Sequence, residues 1–144
     1  MAHPLFARVL LSGIAVTQGL AALKIDLHRS HATNPLWLPH ARFHLVWQVL
    51  NLALLALAEV ALVWWIGPFP EGRFYLAACL IAITLAAFLG AFATMRLYAG
   101  ALFDWNGILP LKMKIGGRIL QLEMNMVAVL LASIVLVIAV AIYR

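Results

Sequence analysis

Polar side chains are sparse along this sequence and divide it into four long apolar stretches, from about Pro4 to Leu23, His40 to Ile66, Arg73 to Leu97 and Arg118 to Tyr143. A bilayer core offers the backbone no partner, so about 20 consecutive apolar residues are read as a spanning helix that satisfies its own peptide groups. The stretches are continuously apolar and rich in Ala and Leu rather than alternating, which predicts helices and not barrel strands. Arg8 ahead of an apolar run gives the first stretch the look of a secretory signal. Its polar interruptions Ser12, Thr17 and Gln18, with Gly13 and Gly19, suit a helix–helix contact better. The pattern predicts an all-α fold, an integral membrane four-helix bundle forming one domain over residues 1–144.

The connections differ in kind. Gly67-Pro-Phe-Pro-Glu-Gly72 is a tight turn with Trp64 and Trp65 just before it at interface depth. The first loop, Lys24 to Pro39, and the third, Tyr98 to Gly117, lie on one side of the membrane and carry Asp26, His28, His31, Asn34, Asp104 and Asn106. Leu109 to Ile115 alternates apolar and basic residues, as expected of a segment in the headgroup layer. Lys24, Arg29, Arg42, Arg96, Lys112, Lys114 and Arg118 fall on the long-loop side, against Arg8, Arg73 and Arg144 on the other. That bias places the long loops in the cytoplasm. Compactness and the want of a sorting signal lead us to expect a bacterial inner membrane.

Composition sharpens this picture. Of 144 residues 66% are apolar and 10% charged, with a mean hydropathy of +1.03, which excludes an ordinary soluble domain. The net charge of +5 comes from scattered Lys and Arg with no basic run or aromatic platform, so it reads as topology and anionic headgroups and not as nucleic-acid binding. Cys79 is the sole cysteine, which excludes an intrachain disulfide and a Cys-based zinc site; it is expected as a small buried hydrophobe.

Four of the five histidines fall between His28 and His44, the main departure from a generic bundle, while His3 is expected as an exposed terminal residue. His40 and His44 are four apart at the start of the second helix, behind Pro39, and should share a face. At about 100° per residue, His40, His44, Gln48, Asn51 and Glu59 lie within one arc of about 100°. A carboxyl inside hydrocarbon is costly, so this stripe is expected to face the bundle interior. Gln18 and Thr17, Thr84, Thr94 and Arg96, and the pair Gln121 and Asn125 are expected to converge on it. Glu123 is left to pair with Arg118 or a neighbouring subunit. Imidazole and carboxylate in such a cluster suit iron, zinc or copper, and one histidine suffices for haem. The other reading leaves these histidines in the headgroup layer, bonded to loop backbone and phosphate. Asp104-Trp-Asn106 either closes over the site or is a solvated turn, and Tyr98 is a candidate acid or substrate anchor.

Two resemblances bear on these residues. The segment Asp26 to His44, with His31, Asn34-Pro35, Trp37 and Pro39-His40-Ala41-Arg42-Phe43-His44, resembles the hallmark block of a family of small four-span membrane proteins from fungi and bacteria. That likeness implies the topology and marks the histidines, but carries no activity. Ala41-Arg42-Phe43-His44 also resembles the block entering the second helix of styrene oxide isomerases, trimeric four-helix membrane enzymes that rearrange epoxides to aldehydes with haem b as Lewis acid. The likeness implies that His44 carries the iron. Those enzymes also place an Asn near the substrate one to two turns past the block; Asn51 is one residue out of that spacing, and the adjacent small residues are absent. The histidine spacings also resemble boxes of di-iron desaturases, which spread more histidines over three boxes, and the longer motifs of sterol-isomerase-like proteins are missing.

The expectation is therefore an intramembrane isomerase-type enzyme, opening or rearranging a small lipophilic substrate in a homo-oligomer, a trimer on the second resemblance. His44 is the expected cofactor ligand for haem b, or His28, His31, His40 and His44 hold a non-haem divalent metal. His40, Gln48, Asn51, Glu59 and Tyr98 are the candidate catalytic residues. The rival is a non-catalytic membrane protein, a haem or metal carrier or an assembly subunit. A transporter is disfavoured by the lack of inverted repeats and broken helices.

Overall fold

In a computed structural model, which describes residues 3–103 and 105–143, the chain folds into four long helices and one small hairpin. Helix α1 spans Pro4–Ala21 and continues as a π-helical turn, Ala22–Asp26; α2 spans Pro39–Trp64; α3 spans Pro70–Thr94 and tightens into a 3-10 turn, Met95–Tyr98; α4 spans Met124–Tyr143. Helices α1, α2 and α3 each begin at a proline, whose fixed φ suits the first helical turn and whose missing N–H costs nothing there. All four are long and apolar enough to cross a bilayer, which makes this an integral, multi-pass membrane protein of the helical-bundle type.

Packing is uneven along the bundle axis. The core gathers Ala7, Leu11, Ile14 and Ala15 of α1, Val63 of α2, Phe74, Ala77, Ala78, Ile81 and Leu85 of α3, and Tyr143 of α4. These residues lie toward the end where the start of α1, the end of α4 and the short α2–α3 turn meet. Phe74 and Tyr143 stack there with ring centroids 3.7 Å apart, and Trp64 Nε1 donates to Ser12 Oγ at 2.7 Å. The His3 N–H donates to the Ile142 carbonyl at 2.8 Å, tying the start of α1 to the end of α4. Farther along, Gly19 lets α1 approach Ala56 of α2 closely. Beyond Leu85 no residue of α3 is buried, and the first ten residues of α2 contain none either, so the long-loop ends of these two helices add little to the core. Cys79, expected inside, lies on the outer surface because α3 turns Ala77, Ala78 and Ile81 inward instead.

The fourth helix corrects the sequence reading. Its expected first turns are a strand: β1, Leu111–Ile115, pairs antiparallel with β2, Arg118–Leu122, from Leu111 opposite Leu122 to Ile115 opposite Arg118. The connection is Gly116-Gly117, with φ of 54° and 82°; two successive positive φ values suit a two-residue hairpin turn and are open to glycine without strain. Helix α4 starts only after Glu123, whose carboxylate accepts the Met126 N–H at 2.7 Å and so supplies the missing acceptor of the first turn. Its 20 residues still make about 30 Å of helix, enough to span.

Candidate functional site

The histidine pair forms as the spacing predicts. His40 Nε2 and His44 Nε2 are 3.0 Å apart, the rings nearly perpendicular at 89°, and both are exposed on the first two turns of α2. Phe43 and Trp47 flank His44 with ring centroids each 5.9 Å away. Arg42, between the histidines, turns back and donates from Nε to the Trp37 carbonyl at 3.0 Å, which fixes how the first loop enters the helix.

The stripe beyond the pair is divided. Gln48 and Asn51 continue its exposed face, Asn51 at the middle of α2, whereas Glu59 is 2% exposed inside the bundle beside Ala56 and Val63. Its Oε1 is buried with no hydrogen-bond partner among the described residues. The expectation that the whole stripe faces inward is thus corrected. Glu59 sits at the edge of the arc nearest the line of Val49, Ala56 and Val63 that α2 buries, while the other four residues are turned away from that line. Glu59 lies five residues, about 7.5 Å, from the end of α2.

The remaining candidates go elsewhere. Thr84 and Thr94 hydroxyls donate to the carbonyls of Leu80 and Gly90 in their own helix, while Thr17 and Arg96 are exposed. Tyr98 is exposed and its hydroxyl donates to the Ala91 carbonyl at 2.7 Å, folding it back on α3. Gln121 is exposed on β2 and shares no helix with Asn125, so the inward pair expected of them does not form. Glu123 caps α4 instead of answering Arg118. Asp104 lies outside the described residues.

The two long loops build a second feature. Asn34, 2% exposed, is its organiser: Nδ2 donates to the Ser30 carbonyl at 3.3 Å, Oδ1 accepts the Leu36 N–H at 3.0 Å, and Asn106 Nδ2 of the third loop reaches the same Oδ1 at 3.4 Å. One amide thus closes the first loop on itself and ties it to the third. Above this knot is a cavity of about 560 Å³ lined by Ser30, His31, Trp37, Phe103, Glu123 and Asn125 among apolar residues. His31 Nδ1 is 2.8 Å from Ser30 Oγ, and its ring meets Trp37 edge-on at 5.6 Å. The cavity joins segments far apart in sequence, which is why residue spacing did not announce it. The acid immediately before a 20-residue apolar run was the legible signal for Glu123.

The four histidines do not assemble into one centre. Among the described residues no three His, Cys, Asp or Glu side chains form a group able to hold a metal; His28 is exposed on the first loop, His31 lines the cavity, and only His40 and His44 meet. The two imidazoles are hydrogen-bonded to each other, one Nε2 donating to the other, and their separation can be compared with that of two metal ligands. Nitrogen ligands about 2.0–2.1 Å from a metal stand about 2.9 Å apart at a right angle and about 3.3 Å apart at a tetrahedral angle, which brackets the 3.0 Å found. One histidine would suffice to hold a haem, and His44, exposed beside Phe43 and Trp47, is the residue that would do so. Comparison with protein-family models, with curated proteins and with solved structures finds no match.

Proposed function

We propose that this protein is an intramembrane enzyme of the isomerase type that opens or rearranges a small lipophilic molecule, such as an epoxide, next to a haem or divalent metal held at His44. The observation that supports it most is the His40–His44 pair, spaced to share a metal and placed at the head of a polar face. The bound group would supply a Lewis acid for the substrate oxygen. His40 serves as second ligand or proton carrier. Gln48 and Asn51, about one and two turns deeper on α2, present amide donors to an oxygen that gains charge as the ring opens. Phe43 and Trp47 supply apolar walls. Glu59, inside the bundle, and Tyr98, hydrogen-bonded along α3, stand outside this set.

The exposure of Gln48 and Asn51 bears on assembly. An amide facing hydrocarbon forfeits its hydrogen bonds, whereas across a helix–helix contact it gains partners. A homo-oligomer that covers this face of α2 gives the amides their surroundings and the substrate a second wall. We assign the long loops to the cytoplasmic side of a bacterial inner membrane, on the Lys and Arg bias.

A second reading, a haem or metal carrier, is favoured by the openness of the histidine pair. The two part company at Asn51. The protein in lipid nanodiscs, loaded with haem or with divalent metal, is offered small aryl and alkyl epoxides and the aldehyde product is followed, with His44→Ala and Asn51→Ala alongside. An enzyme loses the bound group in His44→Ala, and in Asn51→Ala keeps it but loses turnover. Loading without turnover of any epoxide, with Asn51→Ala indistinguishable from the parent, contradicts the enzyme reading.

A further inference from the structure

The β1–β2 ribbon is out of place in a membrane bundle. A lone two-stranded hairpin is at best marginally stable in water, yet every residue of β1 and all of β2 but Leu122 are exposed. Alternation and register sort its side chains onto two faces. One carries Leu111, Met113 and Ile115 opposite Leu122, Leu120 and Arg118; the other carries Lys112 and Lys114 opposite Gln121 and Ile119. On the first, Leu111 is 50% exposed, Ile115 56% and Leu120 47%. No acidic residue occurs from Gly107 to Leu122, so the ribbon is purely cationic.

Its position says what covers it. Only Glu123 separates β2 from Met124, the first residue of a spanning helix, so the ribbon begins at the bilayer boundary. Five residues per strand make it about 17 Å long, enough to lie along the headgroup layer. We propose that β1–β2 is a surface anchor for anionic phospholipid. Its leucine, methionine and isoleucine face sinks to the top of the acyl chains, and Lys112, Lys114 and Arg118 bind lipid phosphates at the level of the strands. This is the arrangement of an amphipathic interfacial helix, carried out by a ribbon. Long lysine side chains can bend from the opposite face to the phosphate plane. The inference stands apart from the proposed reaction and needs neither haem nor metal.

The test uses the full-length protein with Cys79→Ala, in nanodiscs of phosphatidylcholine alone or with one quarter phosphatidylglycerol. An environment-sensitive fluorophore is attached to Met113→Cys on the apolar face or to Lys112→Cys on the other, with and without lipids carrying a quencher just below the headgroup. We expect the probe at 113 to be blue-shifted and quenched by lipid, and the probe at 112 to be neither. A solvated probe at 113 overturns the proposal, as does a blue-shifted probe that lipid does not quench, because the ribbon then packs on protein such as a second copy. Lys112→Glu with Lys114→Glu should lower phosphatidylglycerol enrichment around the protein at least about fivefold, from the worth of a juxtamembrane charge. Unchanged enrichment with unchanged helix content overturns the anionic preference.

Discussion

The approach of α1 to α2 at Gly19 offers a sharp test of the packing. A Cβ placed on Gly19 stands 2.8 Å from Ala56 Cβ, 3.6 Å from Ala53 Cα and 3.7 Å from the Leu52 carbonyl oxygen. Carbon atoms pack best at about 3.5–4.0 Å, so in Gly19→Ala helix α1 must back away from α2 by nearly an ångström. Overpacking of this kind costs about 1–3 kcal/mol, against up to about 1 kcal/mol regained from alanine's helix propensity. The expected net loss is about 1–2 kcal/mol. In Gly19→Val the added methyls press on the α2 backbone, which cannot swing aside, and the loss exceeds about 3 kcal/mol. Removing the struck atom with Ala56→Gly should return Gly19→Ala to within about 1 kcal/mol of its parent, the remainder being glycine's cost within a helix. Equilibrium unfolding in mixed detergent micelles, followed by circular dichroism, gives all four corners of this double-mutant cycle. Should Gly19→Ala match the wild type, or show no coupling to Ala56→Gly, the α1–α2 contact is not as described.

Other substitutions probe the buried polar groups. Glu59→Leu should raise stability by about 1–3 kcal/mol in the same unfolding assay, because it replaces a buried carboxyl whose Oε1 is unpartnered; a clear loss would mean that Glu59 has a partner in the assembled protein. Asn34→Ala strands the Leu36 N–H and unties the loops, so hydrogen exchange over residues 30–37 and near Asn106 should accelerate while the helices stay protected. Glu123→Ala removes the carboxylate that caps α4 and should cost about 0.5–2 kcal/mol, with exchange rising first at Met126.

Much of this architecture was legible because hydrocarbon admits few solutions: four apolar runs became four helices, three of them begun by the prolines at positions 4, 39 and 70. The hairpin escaped because Ile119, Leu120 and Leu122 run almost straight into the apolar sequence of α4, and a short alternating strand beside a long apolar run resembles its first turns. Gly116-Gly117 and Glu123 were the punctuation. At the candidate site, the spacing of His40 and His44 sufficed for their pairing. Helical periodicity relates residues on one helix to each other but does not say which way their shared face points; that depended on which side of α2 meets α1, a contact of Gly19 with Ala53 and Ala56 between residues far apart in sequence. The cavity at His31 depended on Asn34 bonding to Ser30 and Asn106, and the partner Asn106 is 72 positions away.

The central claim concerns what His44 holds. Absorption spectra and metal analysis of the detergent-purified protein, of His44→Ala and of His40→Ala, after loading with haem or with divalent metal, address it directly. The account predicts either a Soret band lost in His44→Ala, or a stoichiometric metal lost in His44→Ala and weakened in His40→Ala. A folded protein that takes up neither group, or takes one up equally well in His44→Ala, would contradict it.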